Sequence, residues 1–209
     1  GGSMASLFSE RHWFPFNLSD LLAAMGPALA EAAADCRTLL GTLATTAGAT
    51  PTDFRFKGVA LHSVTATFAV MGKFNVLVGP DIGAMLVDYN RSQIEPVDAL
   101  GEVAKLTGNA LMKVPDSSPP LYLITKAPLT PDLKPPLTRL SGTPTDFNFK
   151  EVQFRNIAQT IAVLGRFDAM VPHAAGITTA KASLKQVLPT DAMYWIATVA
   201  GFIVEYNES

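Results

Sequence analysis

A block of ten residues occurs twice in this chain, and no other feature restricts its possible folds as much. Thr50-Pro51-Thr52-Asp53-Phe54-Arg55-Phe56-Lys57-Gly58-Val59 returns 93 positions later as Thr143-Pro144-Thr145-Asp146-Phe147-Asn148-Phe149-Lys150-Glu151-Val152. The agreement continues at the same offset without a gap. Thr67, Ala69, Gly72 and Phe74 meet Thr160, Ala162, Gly165 and Phe167, and Pro96, Asp98 and Gly108 meet Pro189, Asp191 and Gly201. An internal repeat outranks other fold signals, because missing it misreads the whole architecture. The copies run from about residue 50 to 111 and from about 143 to 204. At about 60 residues, each is marginal as an independent core. The copies are therefore expected to pack together, related by an approximate two-fold, within one compact domain over residues 4–209.

The first copy alone suggests a strand, since His62, Val64, Ala66, Phe68 and Val70 alternate before Gly72-Lys73. The second copy replaces these by Arg155, Ile157, Gln159, Ile161 and Val163, which would bury Arg155 and Gln159. A helical face survives in both: Phe56, Val59, Val64, Phe68, Met71, Phe74 and Val78 correspond to Phe149, Val152, Ile157, Ile161, Leu164, Phe167 and Val171. The repeated Thr-Pro-x-Asp also has the chemistry of a helix start. Thr50 and Thr143 are placed to cap, Pro51 and Pro144 to occupy the first helical position, and Asp53 and Asp146 the third. The same idiom recurs at Pro96-Val97-Asp98 and Pro189-Thr190-Asp191. Each copy then reads as a long helix, a short one (about 82–90 and 178–187) and a third (96–112 and 189–204).

The predicted fold is thus all-α: two tandem pseudo-symmetric three-helix repeats plus an N-terminal helix over residues 17–46. A proline-rich connector over 113–142 joins the repeats, with seven prolines between Pro115 and Pro136 that leave it an extended strap. The alternative is an α+β fold with β-hairpins at 60–78 and 153–171. Gly1-Gly2-Ser3 reads as an expression-tag remnant.

Charged residues are 16% of the chain and apolar ones 48%, so some surface is expected to be covered by another chain or a ligand. Net charge is −2 without a Lys/Arg cluster, which argues against nucleic acid as a partner. No apolar run reaches the roughly 18 residues of a membrane span, and no signal peptide follows Met4. The expected location is the cytoplasm or an intracellular particle. Cys36 stands alone, and His12, His62 and His173 are scattered, so neither a metal nor another cofactor is expected.

No nucleophile elbow or phosphate-binding glycine loop is present. One segment, Val97-Asp98-Ala99-Leu100-Gly101-Glu102-Val103-Ala104-Lys105-Leu106-Thr107-Gly108-Asn109-Ala110, resembles the active helix of the CheC/CheX chemotaxis phosphatases. The resemblance implies an α/β fold and a pairing of an acid with an Asn three residues on, which orients water against a phospho-aspartate. Glu102 matches the acid, Lys105 stands in place of the Asn, and Asn109 is the nearest amide. The first expectation is different: a non-enzymatic helical protein that self-assembles or binds a protein partner. Arg11, Trp13, Phe14, Phe16 and Tyr122 are its candidate contact residues. A carrier holding an apolar ligand between the two repeats is the second reading.

Overall fold

The computed structural model describes residues 50–130 and 142–205. The predicted N-terminal helix, Cys36 and the aromatic residues Trp13, Phe14 and Phe16 with Arg11 lie outside the described residues. Both repeats fall within a single unit, Pro51–Ser209. The elements in order are β1 (Thr52–Ala60), α1 (Leu61–Gly72), β2 (Asn75–Val78), β3 (Leu86–Ile94), α2 (Pro96–Leu106), β4 (Ala110–Lys113) and β5 (Leu121–Thr125). The second repeat supplies β6 (Thr145–Gln153), α3 (Phe154–Gly165), a one-turn α4 (His173–Gly176), β7 (Thr179–Val187) and α5 (Pro189–Val199). Strands and helices of the second copy, β6, α3, β7 and α5, have the bounds of β1, α1, β3 and α2 displaced by 93.

The fold is therefore mixed α/β, not all-α. The repeated block, read as a helix start, is a strand in both copies. Its own side chains give the reason: Phe54 and Phe56 stand two apart and stack on one face, 6.2 Å between centroids, as Phe147 and Phe149 do at 6.1 Å. A period of two is a strand's period. Thr50 and Thr143 thus precede strands and cap no helix. Asp53 and Asp146 do a different job. Each carboxylate accepts the backbone N–H of the glutamine 40 positions on, Gln93 at 2.8 Å and Gln186 at 2.9 Å. Both glutamines have positive φ, 52° and 55°, where the antiparallel pairs β1–β3 and β6–β7 slip register. The aspartates hold β-bulges.

The helices expected at 82–90 and 178–187 are also overturned, being largely the strands β3 and β7. In β7, Ala180, Ala182 and Leu184 are buried and alternate with exposed Lys181, Ser183 and Lys185. The alternative hairpins at 60–78 and 153–171 fail too, because α1 and α3 stand there, burying Leu61, Val64 and Phe68, or Phe154, Ile157 and Ile161. At α2 and α5 the Pro-x-Asp idiom does open helices, with proline in the first turn and Asp98 or Asp191 near the N-terminus. Both stop before a positive-φ glycine, Gly108 at 70° and Gly201 at 83°.

Two sheets result: the pair β1–β3, and a five-stranded sheet ordered β4-β5-β2-β7-β6. The proline-rich connector is partly inside the second, as β5 runs parallel to β2. Strands β2 and β5 separate two cores. Val76 and Ile124 belong to the core of the first repeat, with Phe68 and Leu100, while Leu77, Leu121 and Leu123 belong to that of the second, with Leu184 and Trp195. Burial on both faces explains why these strands read as continuous apolar runs.

Candidate interaction site

The joint between repeats is made by β2 of the first and β7 of the second, antiparallel, with Val76 opposite Ser183. Asn75, only 2% exposed, reads the backbone of β7. Its Nδ2 donates to the Lys185 carbonyl at 2.9 Å and its Oδ1 accepts the Lys185 N–H at 2.8 Å. A buried amide satisfied on both sides fixes register as well as contact. Beside it, the Nδ1–H of His62 donates to the Gly83 carbonyl at 2.8 Å, leaving Nε2 to accept from Lys181 Nζ at 3.2 Å. The Lys181 ammonium also lies 2.8 Å from Glu151, and this hydrogen-bonded cation holds the Glu151 carboxyl below its usual range. No sequence signal marked this group, because His62 and Lys181 are 119 positions apart.

These contacts join unlike surfaces. The counterpart of β2 is residues 168–171, and the counterpart of β7 is β3. A two-fold would pair them as well, yet β3 pairs with β1 alone and residues 168–171 form no strand among the described residues. The expected two-fold is replaced by a heterologous joint. Exposure records the difference: Leu77 is 1% exposed and its counterpart Met170 is 92% exposed. An open groove of about 390 Å³ lies there, lined by Arg155, Ala158, Gln159, Phe167, Asp168 and Val171 among others. Arg155 and Asp168 are the counterparts of His62 and Asn75, the two residues that hold β7 on the first repeat.

The other predicted residues sit elsewhere. Glu102, on α2, is clamped by three donors: Tyr89 Oη at 2.7 Å, Arg91 Nε at 3.1 Å and Arg91 NH2 at 3.0 Å. The Tyr89 hydroxyl and then Arg91 hold its carboxyl below the usual range, while burial and the same carboxylate push the Tyr89 phenol up. A carboxylate so occupied is a poor base. Asn109 donates to Thr107 Oγ1 at 2.8 Å and to Met85 Sδ at 3.7 Å, whereas the partners of Glu102 are Tyr89 and Arg91. Tyr122, on β5, is half-buried with its ring set edge-on to Phe74, 5.2 Å between centroids. The space between the repeats, proposed for an apolar ligand, is occupied by Leu77, Leu123, Leu184 and Trp195.

Among the described residues no three His, Cys, Asp or Glu side chains gather as a metal site, and no helix is long and apolar enough to cross a membrane. Compared with known protein families, curated proteins and solved structures, the chain matches none.

Proposed function

We propose that this chain is a non-enzymatic interaction protein, acting by association with further copies of itself or with a protein partner. The observation that carries this reading is the contrast at one repeated position. The segment that is a buried strand in the first repeat is left open in the second, with Met170 presented to solvent beside a groove. A segment that pairs as a strand in one repeat and is left unpaired in the other is able to add to a strand of another chain. The low charge content, 16%, supports the same reading. A phosphatase reading has less support, since Glu102 already satisfies Tyr89 and Arg91. An apolar-ligand carrier has less support too, as the joint is filled by side chains.

The test is the solution mass of the full chain over a concentration series, together with affinity capture in which Met170→Glu is the comparison. Growth of mass with concentration, or a captured protein lost in Met170→Glu, is the expected result. A chain that stays monomeric at about 100 μM, where contacts of roughly −6 kcal/mol would register, and that captures nothing, would overturn it.

A further inference from the structure

We infer that the open groove of the second repeat seats β3 of a second copy of this chain, antiparallel to residues 168–171 and in the register β7 uses on β2. This deepens the self-association reading and rests on it. The template is inside the molecule. Shifting the joint by one repeat turns β2 into residues 168–171 and β7 into β3, which do not pair with each other among the described residues. Val76 opposite Ser183 becomes Ala169 opposite Asn90 of the next copy.

The side chains that make the joint have counterparts of suitable chemistry. His62 and Lys181, in contact at the joint, become Arg155 and Asp88. That exchanges a neutral acceptor and a cation for a cation and an anion, a complementary pair. Asn75, which accepts the Lys185 N–H, becomes Asp168, whose carboxylate can accept the N–H of Ser92. The second bond, from the Asn75 amide to the Lys185 carbonyl, has no equivalent, because a carboxylate does not donate.

Met170 replaces Leu77 and would meet the surface where Arg91 and Glu102 stand in place of Leu184 and Trp195. That surface is half-exposed and polar, so the contact between copies buries less apolar area than the joint inside the chain. Association is therefore reversible and concentration-dependent. A heterologous contact also leaves a free groove at one end and a free β3 at the other, so it builds rings or chains instead of stopping at a dimer.

The register is tested with full-length Cys36→Ser protein, so that introduced cysteines are the only thiols. Ala169→Cys and Asn90→Cys variants are mixed, oxidised and compared with Ala169→Cys mixed with Gln93→Cys. Directly opposed strand residues lie within disulfide reach. The expected result is a cross-linked heterodimer several-fold more abundant for the Asn90 pairing. Arg155→Glu should weaken association by about tenfold, and restoration by pairing it with an Asp88→Arg copy is expected. Asp88 also accepts the Gly58 N–H at 2.6 Å, so a folded Asp88→Asn variant checks that arm independently and should weaken association as well. Association that persists without register-selective cross-linking, and that ignores Arg155 and Asp88, overturns this inference and leaves self-association standing. A protein monomeric throughout the concentration series overturns both.

Discussion

The outward face of α2 and the inward face of α5 are built on the same repeat and have opposite fates. On α5, Tyr194, Trp195 and Val199 are 8%, 2% and 8% exposed, covered by the wall of β2 and β5. At the matching positions α2 carries Gly101, Glu102 and Leu106, and Leu106 is 62% exposed. Beneath them, Leu184 on β7 matches Arg91 on β3, which pairs with Glu102 at 3.0 Å. One backbone therefore serves two surfaces, with a few side chains deciding which is core. It also explains why the repeats differ at these sites while keeping Gly, Phe and Pro at the turns. The repeated residues specify the unit, and the unrepeated ones specify its neighbours.

The largest test of that contrast is Trp195→Ala. Truncating a buried Trp in a well-packed joint should cost about 3–5 kcal/mol, measured by denaturant unfolding. Glu102→Ala, the same change at the matching site, should cost much less, because it removes only the hydrogen bonds to Tyr89 and Arg91 and leaves no cavity in a core. Equal losses at both sites would break the distinction between the two faces.

A second comparison concerns a glycine that the repeat keeps. A Cβ on Gly72 would stand 2.6 Å from Phe74 Cδ1 and 2.9 Å from Pro96 Cβ, and on Gly165 it would meet Phe167 and Pro189 at the same distances. Overpacking of this kind costs about 1–3 kcal/mol. Phe74 is 5% exposed and held by Tyr122, whereas Phe167 lies half-open on the groove. Gly72→Ala should therefore fall at the upper end of that range and Gly165→Ala at the lower, by equilibrium unfolding. The reverse order would mean that the groove is closed in solution.

The repeat, its ungapped offset and the two Pro-x-Asp helices were legible in the sequence because each rests on local, repeated chemistry. The strands were not recognised, although Phe54-x-Phe56 and the alternation along β7 were visible. Thr-Pro-x-Asp is equally suited to a helix start, and alanines at 180 and 182 give a weak apolar signal even when buried. Helices α1 and α3 were legible only in part: Arg155 and Gln159 could not share a buried strand face, but the expected long helix also took in Phe56, Val59 and Val78, which lie in β1 and β2. The joint was out of reach. Its key pairs, Asn75 with Lys185 and His62 with Lys181, span more than 100 residues, beyond the reach of any local pattern. The open segment at 168–171, Asp168-Ala169-Met170-Val171, carries no strand signal of its own and becomes informative only beside β2.

The second bulge of each strand pair gives a smaller effect. Gly58 has φ 61° and no atom within 4 Å of an added Cβ, while Glu151 holds the same conformation at φ 52°. Gly58→Ala should cost about 1–2 kcal/mol through the left-handed backbone alone, read from unfolding curves. Glu151→Gly should recover stability, reduced by the loss of its ion pair to Lys181. Should Gly58→Ala cost nothing, the repeated bulge is not imposing its conformation on both copies.

The smallest effect is a pH dependence that belongs to α2 and not to α5. The Tyr89 hydroxyl and the Arg91 guanidinium hold the Glu102 carboxyl below its ordinary value. A carboxyl depressed in the folded state contributes stability above its unfolded value, about 4.3, and loses that contribution as pH falls through the folded value. Glu102→Gln removes the charge but keeps the shape. Parent and variant should therefore differ modestly near pH 7 and converge below pH about 4 in urea unfolding. The neighbouring phenol adds an alkaline limit. Burial, with Glu102 beside it, raises Tyr89, so the folded state resists its ionisation and stability falls above pH about 10, where an unfolded tyrosine ionises freely. Replacing Glu102 should soften that alkaline loss without abolishing it, because burial is the larger cause. Trp195→Phe at the matching position on α5 should shift stability equally at every pH between those limits, since neither side chain titrates. A pH-dependent Trp195→Phe difference, or a Glu102→Gln difference flat from pH 3 to 7, would place the titrating contact somewhere other than the outward face of the first repeat.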